Sequence, residues 1–399
     1  MTNTQRQVIL GRVHTGLIEH TEGAVAIDDG HIGYAGAREH FDAEGWPAPI
    51  VLGPEEILVP GFVDTHCHGA FGADFSTSSE ASIRQALTRL HARGTTTVVA
   101  SLVTARKEDM LDAAALLGAL AADGAVAGIH LEGPFLSHAR CGAQDPRWLS
   151  PPDLELTAQL IQASGETIRA MTYAPELEGS DALVEFLVSR GVIPSLGHTD
   201  ADAPTTGTSL AHARRRMAAA ATPAAVPAVT HLFNGMPTIH HRSPGPVMAC
   251  LRAAARGEAV IELIADTLHL DAYTVESVFE LVGPDNIALV TDSMAAAGLE
   301  DGTYRLGPAT VNVSEAAATL SSSNAIAGGT AFMQDIFRNT VRAGVPFDDA
   351  IRSATVIPAR TYGLGDRIGR LAAGLTADAV VLTGDLDVAR VLRRGTWMT

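Results

Sequence analysis

With 399 residues the chain can hold a barrel of about 250 residues and a smaller domain, and its 46% hydrophobic and 18% charged residues are ordinary for a well-cored protein. A formal net charge of −17 repels nucleic acid and anionic membranes, which excludes both as partners; an anionic small molecule would need a local cationic pocket. Aromatic residues, at 5%, are too few for a stacking surface.

Lys107 is the only lysine, so the fixed positive charge is otherwise arginine. Cys67, Cys141 and Cys250 stand at wide, unrelated spacings and form neither a disulfide framework nor a zinc knuckle. The segment from Met1 to Gly11 lacks the basic-then-apolar layout of a signal peptide, and the alanine-rich run from Met217 to Val229 is short and broken by Pro223 and Pro227. A cytoplasmic protein is the expectation.

The first fifty or so residues read as short strands, with Asp29-Gly30 as a hairpin signal. The chain resumes that character from Ile368 onward, so residues 1–57 and 368–399 are expected to build one small β-sandwich domain from both termini. Between them, residues 58–367 alternate β-branched runs with alanine-rich helical stretches. Eight strands are predicted: Phe62–His66, Thr96–Leu102, Ala127–Leu131, Arg169–Tyr173, Ile193–Leu196, Val229–Leu232, Ala259–Ile264 and Ile287–Val290. That count fits an α/β fold of the (β/α)8 TIM-barrel type, whose working residues sit where strands end. An open doubly wound sheet would want a glycine-rich phosphate turn after an early strand, and none is present.

Metal-type side chains recur at the same end of six of these strands. The first ends in His66-Cys67-His68 and the third in His130-Leu131-Glu132. The fifth leads into His198 and Asp200, the sixth into His231, the seventh into Asp266 and His269, and the eighth into Asp292. One histidine near a strand end is more often a hydrogen-bonded structural residue, but six coincidences at one rim are improbable. Imidazoles and carboxylates suit a divalent ion of the zinc type, and Glu132, His198 and His231 would supply three ligands with a fourth position open to water. Such an ion lowers the pKa of its water and polarises a carbonyl; Asp292 would be the base that takes the water's proton and delivers it to the leaving amine. His66 and His68 share a face of their strand because side chains alternate, leaving Cys67 to pack in the barrel. The two histidines either hold a second metal with Glu132 bridging, or hydrogen-bond around a single one.

In order, PGFVDTHCHG (from Pro60), HLEGPFLS (His130), YAPE (Tyr173), GHTDA (Gly197), THLFNGM (Thr230), IADTLH (Ile264), VTDSMAAAG (Val290) and ATVIPAR (Ala354) resemble the N-acetylglucosamine-6-phosphate deacetylase family. The closing G-x-L-x-x-G-x-x-A-D-x-V-x-L, Gly369 to Leu382, resembles the shared tail of the amidohydrolase superfamily. Single motifs here are weak; the ordered set spans nearly the whole chain. Many two-metal relatives in that superfamily bridge their metals with a carboxylated lysine from the fourth strand, which a chain with only Lys107 cannot do.

The resemblance implies hydrolysis of the N-acetyl amide of an amino sugar phosphate by metal-bound hydroxide. It implies one or two divalent ions per subunit, zinc first, with iron, manganese or cobalt as alternatives. Glu132, His198 and His231 are implied as ligands and Asp292 as the catalytic acid/base; His66, His68 and Asp292 are further candidate ligands that keep the metal number open, and His269 is a further catalytic group. Substrate contacts fall on Ala143 and Gln144, Asn234 and Gly235, His241 and Arg242, Asp266 and His269, and Ile326, Ala327 and Gly328. A homodimer is also implied, with Arg242 reaching the neighbouring active site, where an arginine fork suits a phosphate. Two departures stand out. Gln144 occupies a place where many members have histidine, and Cys141 lies in the same glycine-flanked loop, either touching substrate or a bystander. Gln144 keeps alive a related deacylase acting on another N-acyl amino sugar phosphate, such as the galactosamine epimer. A catalytically silent binding barrel is the third reading, opposed by the intact ligand set and Asp292.

Overall fold

The computed structural model describes residues 6–222, 226–322 and 325–398. Eight parallel strands pair in chain order, each with the next: Phe62–Cys67, Thr95–Val103, Gly128–Glu132, Ile168–Tyr173, Ile193–Leu196, Ala228–Val229, Val260–Leu263 and Ile287–Leu289. Every predicted barrel strand is present, because each is a short apolar run buried on both faces, as a sheet wrapped by helices requires. The eighth strand meets the first just beyond its own end: Asp292 N donates to His66 O at 2.8 Å, His68 N donates to Ser293 O at 2.8 Å, and Thr291 Oγ1 donates to Asp64 Oδ2 at 2.6 Å. Closure of the barrel therefore runs through the residues flanking Asp292.

Helices between the strands begin where a short polar side chain can take an orphan N–H. Asp153, Asp202 and Asp271 accept from the first turns of Leu154–Ala163, Ala203–Ala219 and Ala272–Val282, each such cap being worth about 1 kcal/mol. The main core fills the space between strands and helices, with Phe62, Leu102, Leu131, Leu187 and Phe337 among its buried members. Inside the barrel the packing is polar: His130 sits between Ser101 Oγ (3.0 Å) and Thr172 Oγ1 (2.7 Å), and Thr172, Thr230 and Ser195 continue the chain at 2.8 and 2.7 Å. This hydroxyl belt forms a rigid floor beneath the barrel mouth.

Strands from both ends of the chain make one eight-stranded sheet, in which Ile57–Pro60 lies between Gln7–His14 and Ala379–Leu382. The sheet curls over a core of Ile9, Val13, Val25, Ile27, Leu58, Val381 and Leu392, and its last strand returns to the first through Trp397 Nε1 and Gln7 Oε1 at 2.9 Å. A three-stranded antiparallel sheet, Gly302–Leu306, Ala309–Ser314 and Ala317–Leu320, was not anticipated. It packs Leu306, Val311, Val313 and Leu320 on Val103 and Met294 at the barrel rim, and Gly307 N donates to Asp74 Oδ2 at 2.6 Å. No helix among the described residues is long and apolar enough to cross a membrane.

Candidate metal centre

His66 and His68 share the inward face at the end of the first barrel strand, and Glu132 is the last residue of the third. His198, His231 and Asp292 follow the fifth, sixth and eighth strands with φ of 47°, 25° and 48°. That left-handed region is uncommon for residues with a Cβ. At all three points the chain stops being a strand, and the side chains converge over the barrel mouth.

Two triangles of donor atoms result. In the first, Glu132 Oε1 lies 2.9 Å from His198 Nε2 and 2.9 Å from His231 Nε2, which are 3.1 Å apart. In the second, His66 Nε2 and His68 Nε2 are 3.1 Å apart and lie 3.4 and 3.2 Å from Asp292 Oδ1. Bonds of about 2.0–2.1 Å in a tetrahedral zinc site put ligand atoms about 3.3 Å apart, so each triangle matches one face of such a site and leaves a corner open. Glu132 stands between them, with Oε2 3.2 Å from His68 Nε2 and Oε1 3.6 Å from His66 Nε2. His68 Nδ1 and His231 Nδ1 are buried with no hydrogen-bond partner among the described residues.

The electrostatics follow from this crowding. Burial works against the Glu132 carboxylate, yet hydrogen bonds from His198, His231 and His68 outweigh it and hold its pKa well below the usual carboxylate range. Burial likewise opposes charge on Asp292, but His66 and His68 prevail and bring it to about 2. His231 and His130 are held below the ordinary histidine value chiefly by burial, so His130 is a neutral member of the floor, outside both triangles.

Two supporting residues extend the site. Glu262, on the seventh strand and 1% exposed, was not singled out in sequence. Its Oε2 accepts from His66 Nδ1 (3.1 Å) and His231 N (3.3 Å), and its Oε1 accepts from Tyr362 OH at 2.9 Å. The available signal was a carboxylate in the middle of the apolar run VIELIA, where an unpartnered charge is not tolerated. Gln144 is 5% exposed and turned onto the centre: Nε2 donates to Glu132 Oε2 at 2.5 Å, and Oε1 accepts from Thr104 N at 2.7 Å. Its carboxamide therefore steadies the shared carboxylate.

The other singled-out residues surround this cage. His269 Nδ1 lies 2.7 Å from Asp266 Oδ2 in a nearly buried pair. Burial opposes the charge on His269, but Asp266 outweighs it and raises the histidine above its ordinary value. Gly235 has φ 60°, and a Cβ there would come 2.7 Å from His198 Nδ1, so only glycine lets this turn lie against the imidazole; Asn234 precedes it. Gly328 packs on the Asp292 carbonyl, with Ala327 buried and Ile326 44% exposed beside it. Ala143 and Cys141 lie partly buried in the loop whose Arg140 carbonyl meets His198 Nδ1 at 2.8 Å. His240, His241 and Arg242 form an exposed loop, with Arg242 Nη1 2.7 Å from His241 Nε2.

A family model, Amidohydrolase family, matches residues 57–398. The N-acetylglucosamine-6-phosphate deacetylase of Bacillus subtilis (strain 168) is 33% identical over 386 residues, covering 94% of this chain and 92% of that protein. A crystal structure of N-acetyl-D-glucosamine-6-phosphate deacetylase from Mycobacterium smegmatis superposes with a TM-score of 0.89 at 36% identity, over 98% of this chain and 100% of that one. The enzyme of that name from Thermotoga maritima gives 0.83 at 28% identity, over 98% and 99%. The ordered motifs, the barrel and these alignments agree: the chain belongs to the amidohydrolase family, within its N-acetylglucosamine-6-phosphate deacetylase branch.

Proposed function

We infer that this chain hydrolyses the N-acetyl amide of N-acetylglucosamine 6-phosphate, giving glucosamine 6-phosphate and acetate. The reading is carried by the two donor triangles meeting at Glu132, in a chain aligned along most of its length with deacetylases of that name. By donor type a divalent ion fits each triangle, zinc first and iron, manganese or cobalt after it. Glu132, His198 and His231 would hold one, and His66, His68 and Asp292 a second, with Glu132 reaching both. Such an ion supplies a more acidic water and a polarised acetyl carbonyl.

The remaining work falls to the chain's own groups. Asp292, ionised at neutral pH, takes a proton from the attacking water and returns it to the amine nitrogen as the C–N bond breaks. His269, oriented by Asp266 through Nδ1, holds the substrate through Nε2. Asn234, Gly235 and the Ile326–Gly328 segment wall the sugar site. Arg242, with His241 beside it, supplies a guanidinium for the phosphate, reaching it across the interface of a cytoplasmic homodimer. Gln144 keeps Glu132 in place.

Release of acetate from N-acetylglucosamine 6-phosphate by the metal-loaded protein is the direct assay. The galactosamine epimer and the unphosphorylated sugar, run alongside, read the epimer and phosphate preferences. No acetate from N-acetylglucosamine 6-phosphate would overturn the reading, whatever the other two give.

A further inference from the structure

At the opposite end of the barrel from the metal centre, a cavity of about 180 Å³ lies between the strand starts and the terminal sheet. Thr96 and Arg169 line it from the second and fourth strands and Ala127 from just before the third, and Arg367, Arg393 and Arg394 close it from the returning chain. In a protein of net charge −17, four guanidiniums meet here. None of them is within ion-pair distance of a carboxylate among the described residues. The one acid in the wall, Asp378, is buried and spends its Oδ1 on the Arg394 N–H at 2.7 Å.

A turn explains how neighbouring arginines reach one cavity. Successive side chains on a strand point to opposite faces, but Arg394 leaves the strand Val388–Arg393 with φ 50° and Gly395 follows at 74°. Arg393 Nη2 and Arg394 Nη2 consequently both donate to Gly124 O, at 3.4 and 2.6 Å. Arg393 Nε donates to Thr96 O at 3.1 Å and Arg169 Nε to Ala127 O at 3.2 Å. Every one of these bonds ends on a main-chain carbonyl. Each guanidinium has five N–H donors, so most remain for a ligand.

Pinning the two domains together accounts for the carbonyl bonds of Arg393 and Arg394. It does not account for like charges gathered in a half-buried space. Burial and the neighbouring Arg367 hold Arg169 below its usual value, and burial and Arg394 do the same to Arg393. Asp366 and Asp378 offset the mutual repulsion in part, and an anion between the guanidiniums would add to that offset.

We propose that this cavity is a second anion site, separate from the metal centre, that binds a phosphate group, either free phosphate or the phosphate of a small metabolite. Arginine forks suit the tetrahedral oxyanion, and the volume admits a phosphate with a few carbons. Because the arginines come from both domains, an occupant would clamp the barrel to the terminal sheet. The proposal is independent of the reaction assigned above.

Calorimetric titration tests it on metal-free protein carrying Arg242→Gln, which removes the exposed phosphate ligand at the other end. Inorganic phosphate and glycerol 3-phosphate are the probes, with chloride at equal ionic strength as control. Saturable binding of either probe, absent with chloride and weakened about tenfold or more by Arg367→Gln, is expected. Arg367 is exposed and its side chain makes no hydrogen bond or ion pair among the described residues, so that variant should fold. Arg169→Lys, which keeps the charge and loses the fork, should weaken binding less than Arg169→Gln. Tighter glycerol 3-phosphate identifies a metabolite site and tighter phosphate a free-ion site. No saturable binding, or binding indifferent to Arg367→Gln and Arg169→Gln, overturns the proposal.

Discussion

Glu262→Gln separates charge from geometry at the metal centre. The carboxylate accepts from His66 Nδ1, His231 N and Tyr362 OH while almost wholly buried. The carboxamide can keep its oxygen toward His66 and His231 and turn its NH2 to Tyr362, whose hydroxyl rotates to accept. All three contacts survive in neutral form. Hydrogen bonds to charged groups are worth about 1.5–3 kcal/mol and neutral ones about 0.5–1.5, so the change costs about 1–1.5 kcal/mol at His66, close to a factor of ten. That agrees with the tenfold to hundredfold effects of residues that orient metal-binding histidines. The loss should be selective. Only His66 meets Glu262 through its ring; His231 meets it through the backbone. With an ion in each triangle, as proposed above, chelator competition should therefore show one metal equivalent weakened about tenfold and the other, at Glu132, His198 and His231, within about twofold of wild type. Glu262→Leu, which removes every acceptor, should also lower the unfolding midpoint. Wild-type affinity for both equivalents in Glu262→Gln, or equal loss of both, would refute this account of how the site is held.

Asp292→Asn keeps an oxygen toward His66 and His68 but cannot shuttle a proton, so kcat should fall about 10²- to 10⁴-fold with substrate binding retained; near-normal turnover would exclude Asp292 as the proton carrier. Gly235→Ala places a methyl 2.7 Å from His198 Nδ1 at φ 60°, at a backbone cost of about 1–2 kcal/mol. Circular dichroism should stay native while metal affinity drops, and unchanged affinity would mean the turn does not set the imidazole. His91 gives a pH dependence away from the site. Burial first, and Arg393 second, lower its pKa to about 4, and neutral Nδ1–H donates to Thr95 O at 2.7 Å. Above about pH 6.5 it is neutral folded and unfolded alike. As pH falls from there toward 4 only the unfolded chain gains the proton, so stability declines by up to about 3 kcal/mol. His91→Gln should flatten that part of a urea-midpoint profile, and an unchanged slope would remove His91 as its source.

The barrel was legible because its signal is redundant: eight buried β-branched runs, helices between, and a chemistry-bearing residue after most of them. Glu132, His66, His68, His198, His231 and Asp292 could be grouped from strand-end position alone, since a parallel barrel brings those ends together whatever the loops do. Glu262 escaped because it belongs to the strand interior, where sequence reads hydrophobicity and a partner 196 residues away in the chain is invisible. Gln144 was placed correctly in its loop, but its direction was not readable. The loop folds inward to meet Thr104 N and Glu132, contacts that depend on tertiary packing. The three-stranded insertion went unseen for a local reason. Its apolar positions Leu306, Val311 and Val313 are few, and its last turn is made by Glu315 and Ala316 at φ 51° and 64° instead of by glycine.

Left-handed backbone links these observations. His198, His231 and Asp292 each adopt a conformation that costs about 1–2 kcal/mol for an L-residue, and none is glycine. The cost is sustained by contacts made at the same points. Asp292 N and O are both engaged, with His66 O and Gly329 N at 2.8 and 2.6 Å. His198 is held by Arg140 O on one side and overlain by Gly235, and His231 N rests on Glu262. Relaxing any one of these residues to an extended conformation would break a barrel-closing or strand-end hydrogen bond. The barrel thus fixes the donor triangles through its own backbone, so the centre is preorganised before an ion arrives and affinity need not be spent on ordering it.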